Sequence, residues 1–443
     1  MRATSPASAQ TLAVHTARDV GEPDVRPVIG RAAVAAAVAG NALEFYDFVI
    51  YAYFAVYIGR AFFPVGGEFG SLLLAAATFG VGFFTRPLGA VLIGALADRA
   101  GRKPAMILTV ALITFGTLGM AATPSYASIG IAAPIIVVAC RLLQGLALGG
   151  EVGPATALLV EAAPPNRRAL YASWQLASQG IAVAVGGLLG VAVSILLPAE
   201  DLAAWGWRIP FVISIALVPV ALKIRRSLPE TFEARTERST AEVVGGLMKS
   251  HRRYVVLGVL MVLSASVASQ IGNYMTTYAT QTLHLPATLA QTSALVGGVM
   301  TFAFGLVGGW LCDWRGREIV LIAPRVALML LIVPMFWWLG AMPGAISFLT
   351  VTAVLAALTA MSAAASIVVI PELLPAGFRS IGVSLVYAIG TTLFGGTTQF
   401  VVTGLLAWTH NPNAPAWYLA ATSIVSLVAI WLLPETRGTD ISE

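Results

Sequence analysis

Five ionisable side chains stand inside long apolar stretches of this 443-residue chain: Glu44, Asp47, Arg86, Arg141 and Glu151. A guanidinium stays protonated and offers a planar fork of donors that matches a carboxylate bidentately. Arg86 and Arg141 are therefore candidate anchors for an anion bearing two or three carboxylates. A buried carboxyl can carry a proton, since burial favours its neutral form and a neighbouring Arg its ionised form. Glu44, Asp47 and Glu151 are the candidate proton carriers. An anion arriving at the arginines weakens their pull on the acid and favours its protonation, which would couple the two binding events. The structural alternative is static ion pairing, Arg141 with Glu151 or Arg86 with Asp47, and Asp47 reads equally well as an anchor of its own helix.

The elements that must position these groups are membrane helices. Hydrophobic residues make up 58% of the chain and charged residues 11%, with a mean hydropathy of +0.84. A soluble chain carries about 25% charge. An ionisable group at a helix centre costs about 2.5–3.5 kcal/mol on the insertion scale, so five of them facing lipid would cost more than roughly 10 kcal/mol. They must pair with one another or line a wet cavity. All five fall in the first half of the chain. Asn41, Glu44, Asp47 and Phe48 are read as one helical face. In the second half Gln270, Asn273, Tyr274 and Thr277 share a face, followed by Tyr387, Thr391 and Gln399. These neutral groups are read as substrate contacts or as hydrogen-bonded ties between helices.

Apolar runs long enough to span a bilayer occur near residues 33–58, 70–97, 104–123, 131–162, 168–197 and 208–227. A second six follow near 255–283, 288–312, 318–340, 344–373, 379–407 and 414–434. The fold expected is an all-α integral membrane protein of twelve spans in two six-helix pseudo-repeats. Its parts are a disordered cytoplasmic tail (1–32), bundles over 33–227 and 255–434, a cytoplasmic linker (228–254) and a short cytoplasmic tail (435–443). Arg and Lys concentrate in the tail, the second-to-third and fourth-to-fifth loops and the linker; the opposite side carries only Arg60 and Arg208. The positive-inside rule then places both termini in the cytoplasm. Trp205 and Trp207 suit an aromatic belt at the outer interface. No signal-peptide h-region stands in the first residues, and the two cysteines, Cys140 and Cys312, form no disulfide or zinc spacing.

An internal repeat supports the division into halves. Gly94, Asp98, Gly101 and Arg102 recur as Gly309, Asp313, Gly316 and Arg317. Glu161, Pro164 and Arg168 recur as Glu372, Pro375 and Arg379, and Pro229-Glu230-Thr231 as Pro434-Glu435-Thr436. Glycine clusters (Gly145, Gly149, Gly150, Gly153; Gly186, Gly187, Gly190) permit close helix approach.

The segment Gly94 to Lys103, with Asp98, Arg99, Gly101 and Arg102, resembles the loop signature of the major facilitator superfamily. Arg141, Gln144 and Gly145 with Glu161 and Pro164 resemble its helix 4 signature. Asn41, Glu44 and Asp47, Arg86-Pro87, Gly149-Gly150-Glu151 and the run Trp205 to Phe211 are similar to its metabolite:proton symporters. Arg225 to Thr231 and Phe394-Gly395-Gly396 are most similar to the citrate and tricarballylate carriers. The resemblance implies proton-coupled uptake of a small organic acid, a di- or tricarboxylate such as citrate, by alternating access. Carriage of 2-oxoglutarate, shikimate or an aromatic acid, or proline or betaine, is the alternative, with an uncoupled facilitator or a transporter-like sensor behind it. It also implies that Asp98, Arg102, Asp313 and Arg317 close the cytoplasmic side while the cavity faces outward. An Asp there can pair with the positive N-terminus of a neighbouring helix.

A phosphate-binding GxxxxGK[ST] and an HExxH are both missing from the sequence, and no nucleophile–base grouping is evident, so an enzyme or an ATP-driven pump is not expected. The expected energy source is the proton gradient, without cofactor or metal. The expected partners are the anion, protons and the lipid bilayer, with no nucleic acid, for a monomer in a bacterial-type inner membrane.

Overall fold

The computed structural model describes residues 31–65, 67–100, 102–149, 159, 163–164, 166–227, 240–372 and 379–433. Twelve helices among them are long and apolar enough to cross a membrane. The first six are α1 Val34–Tyr53, α2 Phe69–Ile93, α3 Pro104–Ala122, α4 Ala132–Gly149, α5 Arg168–Leu196 and α6 Gly206–Lys223. The second six are α7 Arg252–Gln281, α8 Ala287–Arg315, α9 Arg317–Ala341, α10 Ala345–Ile370, α11 Leu385–Thr409 and α12 Ala414–Trp431. No strand occurs among the described residues, as expected where lipid leaves every backbone group to be satisfied within its own helix. Twelve crossings return the chain to the face where it began, hereafter the terminal face; the opposite one is the far face.

The tails 1–30 and 434–443 and most of 150–162 lie outside the described residues. The linker read as a plain polar stretch holds an eleven-residue helix, Thr240–Ser250. Its Leu247 is fully buried in an apolar cluster that also holds Ala169, Val255 and Ile370. One apolar anchor on a charged segment is enough to seat it on the terminal face. Two spans are broken, the first where the sequence shows no breaker and the second just before Pro87. The first helix stops at Tyr53, turns at Phe54 and resumes as Ala55–Phe62. The second is Gly67–Phe84 and then Arg86–Ala100, with Thr85 between. α11 carries a π-helical turn at Thr391–Gly395.

Large apolar side chains such as Phe115, Leu196, Ile346 and Trp408 are exposed. Their contiguous spread over the helices fits contact with lipid rather than water. Trp205 is half exposed, as an interfacial belt requires, but Trp207 is not: it is fully buried between Phe62 and Phe211. An indole among aromatic neighbours gains more from packing than from the interface, and it pins the far end of α6 to the short Ala55–Phe62 helix.

The two sets of six spans meet chiefly along α5–α8 and α2–α11. Gly180 of α5 sits so close to Gly298 and Phe302 of α8 that an added Cβ would strike their backbone. Close approach of this kind is what small residues permit in membranes.

Candidate functional site

A cavity of about 220 Å³ lies between the two sets of spans. Its lining runs from Tyr53 and Ser293 to Gly149, Ile370 and Val383 near the terminal face. From α1 it is lined by Asn41, Glu44, Phe45 and Phe48, but not by Asp47. These four recur at the helical spacing of three, four and seven, and Asp47 falls off their arc. Glu44 and Asp47 are thus separated in environment although only three residues apart. The Asn41 side chain is engaged by α5: its Nδ2 donates to Ser178 Oγ (2.6 Å), and its Oδ1 accepts from Gln175 Nε2 (3.1 Å). That amide ties α1 to α5 at the edge of the cavity.

Arg86 lines the cavity at the break in α2. Its guanidinium stacks 3.9 Å from the Phe83 ring centroid and 4.6 Å from that of Phe48. Rings on its flanks fix the plane of the fork and leave its donor edge for a ligand. Thr85 holds the break, its Oγ1 donating to the Leu142 carbonyl at 3.0 Å and to the Gly82 carbonyl at 3.2 Å. Gly149 of α4 lies against the Arg86 backbone, where a Cβ has no room. A discontinuous helix presenting a charged group to a central cavity is a recurring arrangement in secondary carriers.

Arg141 is elsewhere. It is 1% exposed and does not line the cavity. Its Nη1 donates to Gln144 Oε1 (2.9 Å), and Gln144 Nε2 donates to Thr117 Oγ1 (3.0 Å). The Thr117 and Ser214 hydroxyls bond to the Asp47 carboxylate, which also feels the Arg141 charge. The rings of Phe48, Tyr51 and Phe79 enclose the guanidinium at 4.6–5.0 Å. Arg141 and Asp47 thus belong to one internal network, walled off from the cavity by Phe48. The pairing of Arg86 with Asp47 read from sequence does not describe it, and that of Arg141 with Glu151 involves a residue that is not described. Glu151 lies outside the described residues.

On the second half Gln270 and Asn273 line the cavity, joined by a 3.3 Å bond from Asn273 Nδ2 to Gln270 Oε1. Tyr387 and Thr391 line it from α11, Thr391 Oγ1 donating to the Tyr387 carbonyl at 2.7 Å beside the π-turn. π-Turns gather at functional sites. Tyr274 does not reach the cavity; its hydroxyl accepts from Thr403 (3.1 Å) within the second-half core. Sequence reading missed Gln175, Thr359 and Ser366, which also line the cavity. The Thr359 hydroxyl is buried there without a hydrogen-bond partner.

The cavity is shut toward the far face. The break at Phe54 frees the Tyr53 carbonyl, which accepts from Gln291 Nε2 of α8 at 3.0 Å. Beyond this latch is a second cavity of about 220 Å³, lined by Tyr57, Arg60, Thr276 and Gln291, with Tyr53 in the walls of both. On the terminal face Asp313 caps α5: its two oxygens accept the backbone N–H groups of Ala169 (3.0 Å) and Leu170 (2.9 Å). This cap and the Gln291–Tyr53 latch are made together in the structure. Arg317 opens α9, and the side chains of Asp98 and Arg102 lie outside those described. Among the described residues no group of three or more His, Cys, Asp or Glu could hold a metal ion.

A model of the Major Facilitator Superfamily matches residues 40–351. The chain belongs to that superfamily. Among its relatives, a citrate-proton symporter of Salmonella typhi is 35% identical, covering 90% of this chain and 93% of its own. An alpha-ketoglutarate permease of Escherichia coli K12 is 33% identical, covering 92% and 94%. The xylose transporter XylE from E. coli, solved in a partially occluded inward-open conformation, superposes with a TM-score of 0.74 at 16% identity, covering 91% of this chain and 99% of XylE. That likeness concerns the fold.

Proposed function

We propose that the chain is a proton-coupled symporter that takes up a small organic acid, a di- or tricarboxylate such as citrate, by alternating access. The observation that carries this reading is a cavity between the halves that, among the described residues, holds one fixed cation, Arg86, and one acid, Glu44, on its walls. Arg86 receives a carboxylate. That anion offsets the guanidinium charge and favours protonation of Glu44, so the loaded cavity carries the substrate and a proton together. Gln270, Asn273, Tyr387 and Thr359 complete the site by hydrogen bonding. Arg141 and Asp47 act from behind Phe48, holding α1, α3, α4 and α6 in register beside the site. The citrate-proton symporter of Salmonella typhi supports the substrate class, and the alpha-ketoglutarate permease keeps a smaller dicarboxylate as the second reading.

The halves 33–227 and 255–434 rock about this cavity, with the Gln291–Tyr53 latch closing one face and Asp313, with Asp98, Arg102 and Arg317, the other. The terminal face, richer in arginine and lysine, is cytoplasmic by the positive-inside rule. The protein works as a monomer in a bacterial inner membrane, without cofactor and without chemical conversion of its substrate. Each elementary charge crossing about 100 mV is worth about 2.3 kcal/mol, so the membrane potential drives uptake only when the protons carried outnumber the charges of the anion.

The test is uptake of labelled citrate, tricarballylate, 2-oxoglutarate, shikimate, proline and betaine into proteoliposomes, with and without an inward proton gradient. Gradient-dependent accumulation of a carboxylate, lost in Arg86→Gln, is expected. Equilibration without accumulation, or accumulation of betaine alone, would overturn the reading.

A further inference from the structure

Arg325 of α9 is an enclosed cation that the site described so far does not use. It is 2% exposed and follows Pro324 within the helix. Nη1 donates to the Met261 carbonyl of α7 (3.1 Å) and to Ser426 Oγ of α12 (2.9 Å); Nη2 lies 3.5 Å from Ser366 Oγ of α10. Ser366 is itself in the cavity wall, its hydroxyl donating to the Ser362 carbonyl at 3.1 Å. The guanidinium therefore sits one side chain behind the cavity, on the half opposite Arg86. Its described partners are three neutral oxygens, and no carboxylate among the described residues acts on it. A buried charge balanced only by dipoles is costly. A neutral amide would tie α7, α9 and α12 through the same oxygens without that cost. What the charge adds is positive potential on the second-half wall.

We propose that Arg325 is a positioning residue for the anion: through Ser366 it draws one carboxylate toward the second half while Arg86 holds another in the first. An anion with two or more carboxylates then bridges the halves, and its charge decides how firmly it does so. This rests on the anion-symport reading above.

The test uses Arg325→Gln, Arg325→Lys and Ser366→Ala in proteoliposomes. Each is assayed for inhibition of labelled citrate uptake by a tricarboxylate, a dicarboxylate and a monocarboxylate of similar size. Opposite charges within about 10 Å across an effective dielectric near 20 interact by roughly one power of ten in affinity. Arg325→Gln should therefore weaken the tricarboxylate by about ten-fold or more, the dicarboxylate by less and the monocarboxylate hardly at all, at little changed maximal rate. Arg325→Lys should restore most of the loss. Should Arg325→Gln fail to fold, Ser366→Ala removes only the hydroxyl between the guanidinium and the cavity wall and should give the same ordering, smaller in size. Losses equal for all three anions, or confined to maximal rate, would mean a purely structural arginine and overturn the proposal. Absence of carboxylate uptake by the wild type would instead refute the symport reading itself.

Discussion

Asp313 is the described group whose removal should move the conformational balance most. Its carboxylate accepts two backbone N–H groups at the start of α5, at 3.0 and 2.9 Å, across the boundary between the halves. A hydrogen bond to a charged group contributes about 1.5–3 kcal/mol, and a negative charge at a helix N-terminus adds about 0.3–1 kcal/mol. Asp313→Asn keeps one acceptor and loses the charge, a loss of about 2 kcal/mol on these figures. Asp313→Ala exposes both N–H groups and loses about 3–4 kcal/mol when water replaces them incompletely. At 1.4 kcal/mol per power of ten, Asn should shift the balance between closed and open terminal faces by roughly 30-fold, and Ala by 100-fold or more. Spin labels on the terminal ends of α5 and α8, read by double electron–electron resonance, report this directly. The expected result is a longer-distance population growing from wild type to Asn to Ala. An unchanged distribution in both variants would refute the reasoning, because the cap would then contribute nothing to holding the halves together.

Glu44→Gln should abolish gradient-driven accumulation yet spare substrate exchange, whereas Asp47→Asn should act first on stability. Asp47→Asn removes the charge beside the Thr117 and Ser214 hydroxyls and its attraction to Arg141, about 1–3 kcal/mol for a buried polar group left mismatched; a melting temperature equal to wild type would contradict this. Gln291→Leu loses the latch to the Tyr53 carbonyl, about 1 kcal/mol or roughly five-fold toward far-face opening, visible as faster labelling from the far face of a cysteine placed at Ser293 in the central cavity. Tyr274→Phe removes a hydroxyl bonded to Thr403 and remote from the cavity, so substrate KM should stay within two-fold while stability falls by about 1 kcal/mol; a large rise in KM would show that Tyr274 does reach the substrate.

The spans were legible because lipid imposes long apolar runs, and the charged groups of the first half because their burial is costly. Which of two acids meets the cavity was not. Glu44 and Asp47 stand about 60° apart on an ideal helix of 3.6 residues per turn, so the choice depends on helix rotation, which packing sets. The arc Asn41, Glu44, Phe48 did hold the answer: Asp47 lies at its edge. Arg325 was passed over because it stands only two turns beyond Arg317 and merges with the basic loop. The break at Phe54 carries no Gly or Pro of its own and goes with a contact to another helix, through Gln291; the break at Thr85 is marked by Pro87, which has no N–H for the Phe83 carbonyl, and that carbonyl accepts from Thr392 instead. Arg141 read as a twin of Arg86 because both are arginines at similar depth; the rings of Phe48, Tyr51 and Phe79 that separate it from the cavity come from two other helices.

The coupling of anion to proton is tested most directly by following pH inside weakly buffered proteoliposomes as citrate is added outside with no imposed gradient. Citrate should carry protons in with it and acidify the lumen in the wild type, and should leave the lumen unchanged in Glu44→Gln. Citrate entry without lumenal acidification in the wild type, or equal acidification in Glu44→Gln, would contradict the account.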